Sequence, residues 1–215
     1  MEPAHLTRRI ADLRAELQNT DPEAVAARTA AHYTATGSDR GEFHLAVWER
    51  RVSVSFPEFV ARDGNSGQEM PLITQVLLLY YFQKADGAAS SGRWISFSDL
   101  PGGRFYTQAF QGYTGRELAR EFQNDLVAFE RTATGLGGIS QSHGEAHPGD
   151  LAFLFQVLPK VPLLVVCWRG DEDFPAAYQI LFDASADHYL PVDVCASLGG
   201  MLTRKLCTAK RSQHA

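Results

Sequence analysis

Leu151-Ala152-Phe153-Leu154-Phe155-Gln156-Val157 and Pro162-Leu163-Leu164-Val165-Val166-Cys167-Trp168-Arg169 are two apolar runs interrupted by Pro159-Lys160. Runs of this length, rich in β-branched and aromatic residues and bounded by a turn, read as buried strands. A third run, Ala177 to Phe182, follows the polar stretch Gly170-Asp171-Glu172-Asp173. Connections this short predict an antiparallel meander, because a parallel pair needs a crossover of about a dozen residues or more.

On the C-terminal side, Pro191 opens a helix through Ala196, Leu198, Met201, Leu202 and Leu206. Upstream, Leu118, Phe122, Leu126 and Phe129 form one stripe, which predicts a single helix from Thr114 to about Arg131. A short strand is expected around Trp94-Ile95-Ser96-Phe97, before the turn Pro101-Gly102-Gly103. Pro71 to Ala85 is apolar on nearly every side and reads as a central helix, with a buried strand as the competing reading. Phe43, Leu45 and Val47, then Val52, Val54 and Phe56, alternate as the two arms of a hairpin. In the first forty residues, Leu6, Ile10, Leu13 and Leu17 line one helical face. Thr20-Asp21-Pro22-Glu23 then starts a second helix, expected to reach about Tyr33. Strands gathered in runs and helices in other runs predict an α+β fold. The expectation is a single domain, with an antiparallel sheet of hairpin plus meander packed against helices. By segment, 1–40 is expected to be helical, 41–207 the α+β domain and 208–215 a disordered tail.

The chain has 215 residues, 45% hydrophobic and 21% charged, enough to bury a core without disulfides. Twenty Lys and Arg against twenty-five Asp and Glu leave a formal charge of −5. That balance offers no general attraction to nucleic acid or anionic lipid, so neither is an expected partner. Met1 to Leu17 lacks the apolar core of a signal peptide. The longest apolar stretch, Val76 to Phe82, falls far short of the roughly 20 residues that span a bilayer. Cys167, Cys195 and Cys207 form no CxxC pair and fit a reducing compartment. A cytoplasmic protein is expected, with Cys167 a buried, inert thiol.

No dinucleotide turn, phosphate loop, His-Glu-x-x-His or Gly-x-Ser-x-Gly elbow occurs. Chemistry has to be sought in less specific constellations. Between Gly170 and Asp193 stand Asp171, Glu172, Asp173, Asp183, Asp187 and Asp193, with His188 and no Lys or Arg. Such a segment suits a divalent cation or a carboxylate proton relay; it equally suits a solvated turn with Asp183 as a turn cap. If the flanking strands pair, the loop acids and Asp183 lie at opposite ends of the sheet. His143 and His147, with Glu145 and Asp150, have the ligand types of zinc or ferrous iron, or form a polar surface loop. Arg93, Trp94, Arg104, Phe105, Tyr106, Phe110 and Tyr113, interleaved with Gly102, Gly103 and Gly112, suit a flat ligand held by an arginine, or core packing under a loop. His44 reads as an ordinary sheet residue.

Six segments, taken in order, carry a family resemblance. They are Gln75 to Tyr81, Gly92-Arg93-Trp94-Ile95-Ser96-Phe97-Ser98-Asp99-Leu100-Pro101-Gly102-Gly103, Gly149-Asp150-Leu151-Ala152, Leu158-Pro159-Lys160-Val161-Pro162, Gly170-Asp171-Glu172-Asp173-Phe174-Pro175-Ala176 and Ile180-Leu181-Phe182-Asp183. Over roughly residues 25 to 205 the chain resembles the domain-of-unknown-function 3786 family. That resemblance implies a fold unit without a stated reaction. Some members carry an added four-cysteine iron-sulfur domain like that of corrinoid iron-sulfur proteins, which implies redox or corrinoid metabolism. This chain lacks those cysteines.

The leading expectation is an accessory or binding protein that holds a small ligand, of corrinoid or haem type, against Arg93, Trp94, Arg104 and Tyr106. Two alternatives stand beside it. One is an enzyme using a divalent cation on Asp171, Glu172, Asp173 and Asp183. The other is a structural subunit whose acidic segment docks a basic protein partner.

Overall fold

The computed structural model describes residues 3–141 and 149–213. Helices and two open antiparallel sheets are divided between two compact units. The first is the chain up to Ser90 with Val157–Val161 and Ser185–Pro191; the second is the remainder. The α+β class is met, with the hairpin and the meander in separate sheets.

In the first unit, α1 (Pro3–Leu17) buries Leu6, Ile10, Leu13 and Leu17 as one stripe. The start signal of α2 (Pro22–Thr29) works as expected: the Asp21 carboxylate accepts from the Glu23 amide, and Pro22 opens the first turn. The helix ends sooner than Tyr33. Ala30 turns left-handed at φ 52, and the chain becomes β1 (His32–Ala35). Tyr33 packs its ring 5.1 Å from Phe43 and 6.1 Å from Phe56, and such aromatic cross-strand pairs outweigh a weak helix preference.

β2 (Gly41–Val47) and β3 (Arg50–Phe56) are the predicted hairpin. Trp48 and Glu49 join them, both at positive φ, 51 and 63, as a two-residue primed turn requires. With β4 (Ala61–Asp63) the sheet order is β1-β2-β3-β4. Phe43, Leu45, Val47, Val52, Val54 and Phe56 are buried on its inner face, while His44 and Ala46 face outward. α3 (Leu72–Lys84) is the expected central helix, buried at Thr74 through Leu79 and at Tyr81 and Phe82. Phe82 lies 4.9 Å from Phe43, and the Tyr81 hydroxyl donates to the Thr29 carbonyl at 2.7 Å.

The second unit holds β5 (Trp94–Ser96), α4 (Thr107–Tyr113), α5 (Gly115–Phe122), α6 (Leu126–Gly135), β6 (Ile139–Ser140), β7 (Leu151–Leu158), β8 (Val161–Trp168), β9 (Ala177–Asp183) and α7 (Val192–Ser212), with end residues of β7 and β8 counting with the first. Its sheet runs β5-β9-β8-β7-β6, so the meander is present with a short strand added at each edge. The helices cover the face bearing Tyr178, Ile180 and Phe182; Phe110 stacks 4.2 Å from Phe97 and lies 6.0 Å from Phe182.

Two expectations change here. The single helix from Thr114 to Arg131 is two, α5 and α6, broken where Gln123 takes φ 49 and ψ −129. Asp125 restarts the chain by accepting the Ala128 amide at 2.9 Å. The tail expected from residue 208 is helical through Ser212. Lys210 donates to the Glu121 carbonyl and Arg211 pairs with the Glu121 carboxylate, which ties that last turn down. No helix among the described residues is long and apolar enough to cross a membrane.

Candidate functional site

β9 separates the acids named from the sequence: Asp171, Glu172 and Asp173 precede its start and Asp183 closes its end. Seven residues of strand at about 3.3 Å each put the two groups roughly 20 Å apart. Asp183 is fully buried. Its Oδ1 accepts from the Ser91 amide at 3.0 Å and the Ser91 hydroxyl at 2.8 Å, and its Oδ2 from the Gly92 amide at 2.8 Å. Asp171 Oδ1 accepts from the Asp173 and Phe174 amides at 2.9 and 2.8 Å, a tight Asx turn. Both carboxylates are therefore engaged with backbone amides, in separate places. Among the described residues no three His, Cys, Asp or Glu side chains are gathered as a metal site.

The aromatic and basic group is split by strand alternation. Trp94 packs with Leu154 and Trp168 against a buried cluster of Ala152, Leu164, Val166 and Leu181. Phe97, three residues on, stacks on Phe110 of α4 on the helix-covered side. Gly103 lies against the Phe97 carbonyl oxygen so closely that a Cβ would collide with it. The turn Gly103–Tyr106 then leads directly into α4. Arg104 and Tyr106 thus belong to the helix side and Trp94 to the opposite face. Arg93, Arg104 and Tyr106 are exposed, as is Phe105 at 91%. His143 and His147 lie outside the described residues.

A groove of about 540 Å³ opens where the end of α5 meets the loop after β8. Arg120, Gln123 and Asn124 line one wall, and Gly170, Asp171, Phe174 and Pro175 the other. The Asn124 amide clamps the loop in both directions, donating to the Gly170 carbonyl at 3.1 Å and accepting its N–H at 3.0 Å. A side chain at position 170 would run into the Ala176 amide and the Phe174 carbonyl, so glycine is needed there. Gln123 holds a left-handed φ of 49, a strained position of the kind that gathers at ligand sites. Its carbonyl accepts from the Tyr178 hydroxyl at 3.1 Å. Phe174 stands 71% exposed at the lip. Arg120 is exposed and pairs with Glu117 one turn back on α5.

Sequence reasoning marked the Gly170–Ala176 turn and missed Gln123 and Asn124, which it placed inside a continuous helix. The available signal was three polar residues, Gln123-Asn124-Asp125, ending in a capping type. The three cysteines are buried and form no disulfide; desolvation raises the Cys167 pKa, and burial pushes Cys207 up to about 11.

Searches of curated proteins and of solved structures find no match. One family model, described as Domain of unknown function (DUF3786), matches residues 21–205. That span takes in both sheets, the Asp183 anchor and both walls of the groove. With most of its length so matched, the chain belongs to the DUF3786 family.

Proposed function

We propose that this protein binds a small ligand in the groove between the end of α5 and the Gly170–Ala176 loop, as an accessory or carrier protein. The observation that carries the reading is Phe174, a phenyl ring 71% exposed over a preformed groove. Burying such a ring is worth about 1.5–3 kcal/mol, a gain that only an incoming partner can realise. The volume of about 540 Å³ lies in the usual range for small-molecule sites. The Asn124 clamp and the Asp171 turn hold the loop in place beforehand, which lowers the ordering cost of binding. Arg120 can hold a carboxylate or phosphate in bidentate fashion. Leaving Glu117 costs at most about 1 kcal/mol for an exposed pair.

The lining has no His, Cys, Met or Tyr, the axial ligands of haem proteins. A haem would therefore find no axial ligand in this groove, and haem is not part of the proposal. A basic protein partner is the second reading, favoured by Glu172 and Asp173 standing exposed beside the Phe174 ring. Strong weakening of binding by salt would mark that case.

The test is amide-resolved NMR of the full chain against pooled small carboxylates and phosphates, with and without aromatic rings. Shifts centred on residues 119–124 and 170–176 are expected. Phe174→Ala should keep its fold, because the ring is exposed, and weaken any hit about tenfold or more, the equivalent of roughly 1.4 kcal/mol. Hits that shift other regions, or that bind Phe174→Ala unchanged, refute the assignment.

A further inference from the structure

The outer face of the first sheet carries two histidines on neighbouring strands. His32 of β1 lies directly opposite His44 of β2 in the antiparallel register. Glu42, two residues before His44, is on the same face by alternation, and its Oε2 lies 3.8 Å from His44 Nε2. Both histidines are exposed. Across from His44 and Glu42 on β3 stand Ser53 and Ser55, which bring no charge. Among the described residues Glu42 makes no ion pair with a lysine or arginine, so no cation occupies the spot. β1 is an edge strand, open to solvent on one side.

We infer that His32 and His44 form a two-imidazole site for a d-block divalent ion, best suited to Cu(II), with Glu42 as a third ligand and water completing the shell. Imidazole nitrogen suits copper, nickel and zinc, and a mixed nitrogen–oxygen set suits tetragonal Cu(II). Directly opposed residues have Cβ atoms about 4.5–5.5 Å apart, close enough for both rings to reach one ion. Metal–nitrogen bonds of about 2.0–2.1 Å would bring two cis imidazoles to ring centroids roughly 5 Å apart. The rings stand at 6.5 Å and 34° to each other, so the three groups are not gathered as they stand. The difference is closed by side-chain rotation alone. Neither ring is packed in the core, and among the described residues neither is held by a hydrogen bond beyond the Glu42 contact. A bound ion then cross-links the edge strand β1 to β2, which the hydrogen-bonded ladder holds from one side only.

The experiment titrates the untagged full-length chain with Cu(II), Ni(II), Zn(II) and Mg(II) by calorimetry, with EPR of the copper-loaded protein. The comparison set is His32→Gln, His44→Gln, Glu42→Gln and the double variant His143→Gln/His147→Gln. Expected are one Cu(II) per chain, bound more tightly than Ni(II) or Zn(II), and no response to Mg(II). Hyperfine splitting from two imidazole nitrogens should appear in the EPR spectrum. Each single histidine variant should weaken copper at least the 10–100-fold that even outer-shell partners command, while the His143→Gln/His147→Gln protein binds as the wild type does. Absence of Cu(II) binding overturns the inference. So does a spectrum with fewer than two imidazole nitrogens, or a loss that follows His143 and His147 instead of His32 and His44.

Discussion

Replacing Asp183 tests whether the best candidate acid in the sequence is an anchor or a reagent. Its carboxylate is fully buried and accepts hydrogen bonds from the Ser91 amide, the Ser91 hydroxyl and the Gly92 amide. Asp183→Asn keeps one carbonyl oxygen for the two Ser91 donors and turns an NH2 group toward the Gly92 N–H. One charge-assisted bond is lost and two donors face each other, which costs about 2 kcal/mol. Asp183→Ala loses the bonds to both Ser91 donors and to Gly92. Ser91 and Gly92 are exposed, so water recovers part of the loss, and removing a buried charge recovers more. The alanine cost is therefore about 3–4 kcal/mol, well below three times a single bond. For a chain of this size each kcal/mol moves Tm by about 2–4 °C, giving falls of about 4–8 °C for Asn and about 10 °C for Ala. Urea and thermal unfolding measure both, and hydrogen exchange at Ser91 and Gly92 reports the anchor directly. Asp183→Asn melting within about 1 °C of wild type, with both amides still protected, would refute the reasoning.

Glu49→Gly should raise Tm by a few degrees in a thermal melt. Glu49 sits at φ 63, where a side chain costs about 1–2 kcal/mol that glycine avoids, less the extra unfolded-state freedom of glycine. Gly103→Ala should destabilise by about 3 kcal/mol in urea, since its Cβ meets the Phe97 carbonyl oxygen in a turn that cannot easily give way. The His188–Asp86 pair, 2.6 Å apart, raises the His188 pKa and depresses that of Asp86, in each case chiefly through their hydrogen bond. The His188 contribution is complete below its ordinary value of 6.5 and fades as pH rises through the raised one. That of Asp86 is complete above 3.8 and fades as pH falls through the depressed one. The Tm difference between wild type and His188→Gln should therefore be largest between those two values and shrink on either side; a difference that grows above pH 8 contradicts the pairing.

Local signals carried the sequence reading wherever the physics was local. The Leu6–Leu17 stripe, the Asp21-Pro22 start and the alternation from Phe43 to Phe56 each name an element that the structure contains. Reading failed where a distant partner decides. Tyr33 leaves helix for strand because Phe43 and Phe56 wait across the sheet, and only that strand makes His32 a neighbour of His44. The break at Gln123 is hidden because Leu118, Phe122, Leu126 and Phe129 stay in helical phase across it. Asn124 earns its place only by bonding Gly170, 46 positions away. Of the groove, the Gly170–Ala176 wall was therefore legible as a turn, and the α5 wall was not.

Many aspartates of this chain anchor backbone amides. Asp21 accepts from the Glu23 amide, Asp63 from Asn65 and Ser66, Asp125 from Ala128 and Asp150 from Arg169. Asp171 and Asp183 act in the same way. Asp150, Asp171 and Asp183 lie in segments that carry the family resemblance, so an anchoring role is enough to account for those three aspartates. The last helix answers α5: Arg211 pairs with Glu117 and Glu121, and its bond to Glu121 holds that carboxyl below its ordinary pKa. Around Gly170, once these debts between carboxylate and amide are removed, Glu172, Asp173 and the ring of Phe174 have no work inside the fold that requires their exposure. The fold buries its other phenylalanines and keeps Phe174 and Phe105 in water, and of these two rings Phe174 lines the groove beside the Asn124 clamp, which is why the proposed ligand is placed there.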